Sequence, residues 1–137
     1  MNTYDVTLTI SEQLPTWPGD PKVRITQISK IENGADSNVS HVSFPVHVGT
    51  HVDAPHHFIS GGETVDNLAI KVLTGRAYVQ HLMDVDVITE AVLVEANIPP
   101  RTRRVLFRTK NSEMWTQDKF EFNTDYVGLS ADAAAYL

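Results

Sequence analysis

The 137-residue chain contains no cysteine. That excludes a disulfide framework and any thiolate metal site, so a metal held here must take nitrogen and oxygen ligands. Positive charge is also scarce, with 11 Lys and Arg against 17 Asp and Glu and a formal net charge of -6. Such a balance gives nucleic acid no electrostatic attraction. The basic residues Arg101, Arg103 and Arg104 stand close together and read as the solvated approach to a strand. No apolar run approaches the roughly 20 residues of a membrane span, and the polar N-terminus lacks a signal-peptide core. Repeats and low-complexity tracts are missing as well. The expectation is a cytoplasmic protein with neither nucleic acid nor membrane as partner. Its length fits one domain, residues 1–137, with chain enough for a core.

Histidine is where the sequence is rich. Four of the six histidines fall between His47 and Phe58, with Asp53 among them. Neutral imidazole and carboxylate are the common ligand set of a borderline divalent metal. In an extended strand, residues two apart share a face, so His51 and Asp53 point the same way. His47 has that parity too, yet a straight strand would set it about 13 Å from His51. One ion with ligand bonds of about 2 Å cannot span that gap. The chain must bend, and Gly49 is the residue that permits a bend or a close approach. A helix would also join positions 47 and 51, but Gly49, the β-branched neighbours and Pro55 argue against one. The stretch reads as a metal-binding strand and turn. Two plainer readings stand beside it: a surface patch that collects metal without catalysis, and an Asp53 that only bonds its own backbone in a turn.

The rest of the chain supplies a frame. Thr3 to Ile10 alternates apolar and polar residues, which predicts a half-buried strand. The loop Leu14-Pro15-Thr16-Trp17-Pro18-Gly19-Asp20-Pro21 has turn chemistry at nearly every step. Its Trp17 is either a wall for a ligand or a cover for the core edge. A second strand is expected from Val23 to Ile31 and a third from Val39 to Val48, interrupted by Pro45. Arg76 to Val85 predicts a further strand. Thr89 can cap a helix through Glu90 to Ala96 with Ile88, Val92, Leu93 and Ala96 on one face. Arg104 to Arg108 predicts a buried strand. Strand, helix and strand in that order imply a crossover and a partly parallel sheet. His41 and His81 fall within strands, and Asp84-Val85-Asp86 reads as a turn. Ser130 is placed to cap a last helix, which the chain leaves after about two turns; the expectation is an element that once continued.

The segment His47-x-Gly49-Thr50-His51-x-Asp53-x-Pro55-x-His57-Phe58 resembles the signature of the cyclase family of metal-dependent hydrolases, which includes bacterial kynurenine formamidase and isatin hydrolase. Trp17-Pro18-Gly19-Asp20 is similar to that family's N-terminal substrate loop. Gly61-Gly62-Glu63-Thr64-Val65-Asp66, Leu73-Thr74-Gly75-Arg76-Ala77, Val105-Leu106-Phe107-Arg108-Thr109 and Gly128-Leu129-Ser130 follow in the family's order. The resemblance implies an α/β fold, β-rich with a mixed sheet and few helices, like the swivelling β/β/α cyclase fold without its C-terminal part. It also implies that His47, His51 and Asp53 are metal ligands for Zn²⁺ or Mn²⁺, with Asp53 able to bridge two ions. By the same resemblance His57 carries protons and Trp17 lines the substrate pocket, while His56 takes no role.

In the family a later histidine and glutamate complete the metal site. Nothing in this sequence matches them: His81 has the wrong context, and no motif nominates Glu113 or Glu121. The implied activity is hydrolysis of a C–N bond in a small, aromatic amide or formamide. The other reading is a shortened, non-catalytic member that binds a ligand or metal, or works through assembly. Loss of part of a sheet exposes an edge and apolar surface, so a homo-oligomer is expected.

Overall fold

The computed structural model describes residues 4–116 and 121–137. Two compact units can be distinguished among them. The residues up to Asp53, with Glu121 and Phe122, make the first; those from Ala54 onward, apart from these two, make the second.

The first unit is built on an antiparallel pair, β1 (Arg24–Ser29) and β2 (Val39–Ser43). Its ladder runs from Arg24 opposite Ser43 to Ser29 opposite Val39, with a register shift between Gln27 and Ser29. A 3-10 turn over Ile31–Asn33 reverses the chain, closed by Gly34 in the left-handed region (φ 85°). The apolar cluster of this unit is Leu14, Val23 and Val48, with Leu8 packed against it. Two expectations need correction here. The strand foreseen from Val39 to Val48 stops at Ser43, because Pro45 has no N–H to give a ladder. The strand foreseen over Thr3–Ile10 is not formed by its described part, residues 4–10. Val6 is 70% exposed, and the Leu8 N–H donates to Thr50 Oγ1 at 3.0 Å instead of to a neighbouring strand. Alternation suits a strand, but a strand also needs a partner ladder.

The second unit contains the crossover. β3 (Tyr78–Leu82) and β4 (Val105–Thr109) pair in parallel, Tyr78 opposite Val105 through Leu82 opposite Thr109. Between them in the chain comes α2 (Glu90–Glu95), after a single earlier turn of helix, α1 (Ile70–Leu73). Thr89 caps α2 as expected, its side chain accepting from the Val92 N–H. Ile88 and Leu93, with Val127 and Ala133, form the core, and Leu82, Val92 and Phe107 pack on it. Val127 is fixed by Asn111, whose amide donates to the Val127 carbonyl at 2.9 Å and accepts from its N–H at 2.8 Å. The last helix, α3 (Ala131–Tyr136), follows Ser130. The Ser130 hydroxyl does not cap it but donates to the Ile88 carbonyl at 3.0 Å. Asp132 accepts from the Glu90 N–H at 3.0 Å and so serves the start of α2. The architecture is α/β, with few helices and small sheets.

Candidate metal centre

Beyond β2 the chain leaves extended geometry, and residues 46–50 form a continuous bend. Val48 drives it by turning into the apolar cluster with Leu14 and Val23, where it is 8% exposed. Gly49 permits it, with φ 62°, a region that costs an L-residue about 1–2 kcal/mol. A Cβ at Gly49 would also stand 3.4 Å from Leu14 Cδ1. On either side of this buried point, His47 and His51 are left facing the solvent side, each side chain about one-third exposed.

The bend brings three donor atoms together. His47 Nδ1 lies 3.4 Å from His51 Nε2 and 2.9 Å from Asp53 Oδ1, and His51 Nε2 lies 3.6 Å from the same oxygen. A triangle with these sides has a circumradius of about 1.9 Å, just inside the roughly 2.0–2.2 Å bonds of nitrogen and oxygen to zinc. The donor set therefore fits a divalent ion in both chemistry and spacing. Among the described residues this is the group of three or more side chains able to do so. His51 is already set for the task. Its Nδ1 lies 3.1 Å from the Gly49 carbonyl; a carbonyl only accepts, so Nδ1 carries the proton and Nε2 keeps its lone pair for the cluster.

The sequence pattern pointed to His47, His51 and Asp53, and the structure gathers these three side chains around one point. It did not reveal the Gly49 carbonyl as the group that orients His51, since a backbone oxygen leaves no trace in residue type. Trp17 is half exposed on its loop and meets Phe122 edge-on, ring centroids 5.0 Å apart. Its ring thus has a packing partner and stays half exposed.

His57 belongs to the second unit. It sits at the end of a 3-10 turn over Pro55–His57, its ring 4.1 Å from that of Phe58. The turn is tied down by the His56 N–H donating to the Glu63 carbonyl at 3.0 Å. Gly62 lies so close beneath it that a Cβ there would be 2.8 Å from the Pro55 carbonyl carbon. The Gly61-Gly62 loop thus holds the turn that presents His56 and His57. No described helix is long and apolar enough to cross a membrane.

Comparison with known proteins identifies relatives of the chain. The family model described as "Putative cyclase" matches residues 4–137. Cyclase-like protein 3 of Oryza sativa subsp. japonica is 37% identical over 97% of this chain and 52% of its own length. Cyclase-like protein 2 of Arabidopsis thaliana is 34% identical over 98% of this chain and 52% of its own. The chain thus spans about half the length of these curated relatives. Among solved structures, a "predicted metal-dependent hydrolase from Bacillus stearothermophilus" superposes with a TM-score of 0.71 at 32% identity, over 97% of this chain and 62% of that one. The chain belongs to the cyclase family and has the fold of its metal-dependent hydrolases.

Proposed function

We propose that this chain carries the metal-holding part of a hydrolase that cleaves a C–N bond in a small aromatic amide or formamide, in the manner of a kynurenine formamidase. The observation that carries the reading is the triangle of His47 Nδ1, His51 Nε2 and Asp53 Oδ1. These residues would hold Zn²⁺ or Mn²⁺. Such an ion would supply Lewis acidity and lower the pKa of bound water to about 7. Three protein donors are the number that catalytic zinc sites use while keeping a position open. Asp53 would offset the charge of that cation. By the family resemblance His57, an imidazole on a braced turn, would carry a proton from water to the leaving nitrogen. The exposed half of Trp17 offers an apolar surface to an aromatic substrate. The setting is the cytoplasm, and a second copy of the chain covers exposed apolar side chains such as Val6 and Ile10.

The test is direct. Protein loaded with Zn²⁺ or Mn²⁺ is offered N-formylkynurenine, isatin and simple aryl formamides. Turnover that disappears in His57→Ala, with metal retained, supports the hydrolase. A second reading is a member that binds metal or ligand at this group without turnover. Stoichiometric metal with no turnover on any of these substrates would favour it.

A further inference from the structure

A second cluster of functional groups lies at the beginning of the parallel sheet and shares no residue with the histidine centre. A cavity of about 300 Å³ is lined by Arg76, Ala77, Tyr78, Arg101, Thr102, Arg103 and Arg104. Four of the chain's 11 basic residues therefore surround one hollow, in a protein whose formal net charge is -6. No carboxylate contributes to its lining. Among the described residues no arginine forms an ion pair with Asp or Glu. Like charges gathered around one concavity raise each other's energy, and a bound anion relieves that repulsion.

The fold builds this arrangement from two separate stretches. Parallel pairing sets Tyr78 opposite Val105, so the residues just before each strand stand side by side. The Tyr78 N–H donates to the Arg104 carbonyl at 2.9 Å, which locks the two strand beginnings together. Arg104 is the fixed member, its guanidinium donating to the carbonyls of Lys71 and Val72 while resting against Gly75. Arg76, Arg101 and Arg103 make no such side-chain bond and are exposed. Arg101 also holds a left-handed backbone (φ 68°), in the turn closed by the Thr102 N–H to the Pro99 carbonyl. Glycine or asparagine would hold that conformation at lower cost. A long cation kept at a strained position suggests a use for the cation.

We propose that this cavity binds a compact oxyanion with two negative charges, the phosphoryl or paired-carboxylate end of a small organic molecule. Guanidinium forks match such oxygens in pairs. The hollow is larger than a bare phosphate needs, which leaves room beside Tyr78 for the carbon portion of the ligand. A concave site on an acidic protein suits a small ligand better than a long polyanion.

The experiment titrates the full chain with inorganic phosphate, pyrophosphate and succinate, followed by calorimetry and by NMR of the backbone amides. The expected result is saturable one-to-one binding of at least one probe, with shifts concentrated at residues 76–78 and 101–104. Preference for phosphate or pyrophosphate identifies a phosphoryl ligand, and preference for succinate a dicarboxylate; either supports the site. Arg101→Gln with Arg103→Gln is expected to weaken binding by about tenfold or more. The charge-matched pair Arg24→Gln with Arg108→Gln should change it by less than about twofold. Arg101→Gly adds a separate readout, with weaker binding at an unchanged or higher thermal midpoint, because the backbone strain is gone. Equal loss in both double variants, or uptake that does not saturate, overturns the proposal. A short DNA duplex binding more tightly than every small probe overturns it in favour of a nucleic-acid surface.

Discussion

His47 Nδ1 and Asp53 Oδ1 stand 2.9 Å apart, six residues along the chain from each other. A carboxylate only accepts, so in the metal-free pair the imidazole donates from the nitrogen that faces the cluster. A cation held there would displace that proton, which the ring could carry on Nε2 instead. The pair is thus both a hydrogen bond that shapes the bend and a pair of candidate metal donors.

Asp53→Asn tests the carboxylate alone. It keeps the size of the side chain and its ability to accept from His47, but removes the negative charge. Metal affinity, measured by competition with a chelator, is expected to fall by about 100-fold, at the upper end of what even supporting residues around metals contribute. The fold, followed by circular dichroism, should be unchanged.

Gly49→Ala tests the bend. The left-handed φ of 62° and the 3.4 Å approach to Leu14 Cδ1 both oppose a Cβ. A loss of about 1–2 kcal/mol in denaturant unfolding is expected. Metal affinity should fall with it, because the same bend places His47 and His51.

Asn111→Ala tests the second unit. The substitution strands the N–H and the carbonyl of Val127, a residue only 6% exposed. Leaving buried backbone groups without partners costs about 1–3 kcal/mol. Urea unfolding should show that loss, with no change in metal affinity.

Acid and base act on different partners. The hydrogen bond and charge of Lys110 hold the Asp86 carboxyl below its ordinary range. A folded value below the unfolded one means that this contribution is complete above the unfolded pKa of about 3.9 and fades as pH falls through the folded value. Lys110 runs the other way. Its hydrogen bond to Asp86 raises its pKa, so its contribution is complete below about 10.4 and fades as pH rises through the folded value. Thermal midpoints measured against pH should show smaller decreases at both extremes in Asp86→Asn than in the parent.

Sequence pattern revealed the parts of this molecule that depend on local rules. The cap at Thr89, the apolar face through Ile88 and Leu93, and the strands around α2 followed from spacing and residue type. So did the need for a bend at Gly49, because two ligands of matching parity cannot meet along a straight strand. What local pattern could not show was partnership across the chain. Residues 4–10 alternate like a strand, yet Leu8 donates to Thr50. Ser130 has the position of a cap, yet its hydroxyl donates to Ile88. Asn111 reads as an ordinary polar residue until Val127 stands beside it. Arg76 joins the later arginines only because two parallel strands begin at the same level.

Assembly is tested by light scattering on the purified chain. The expected result is a mass that is a multiple of the 15.2 kDa protomer, with the apolar residues near the N-terminus, Val6 among them, protected from solvent exchange. A stable monomer at high concentration would count against a covering second copy.

One ion is expected among His47, His51 and Asp53. X-ray absorption on the zinc-loaded protein tests it most directly, read together with binding stoichiometry in single alanine variants at these positions. The account predicts one tight site with two imidazole nitrogens and at least one carboxylate oxygen at about 2.0–2.2 Å, lost in each variant and kept in His41→Ala and His81→Ala. Zinc bound equally well by all three variants, or a spectrum without paired imidazoles, would contradict it.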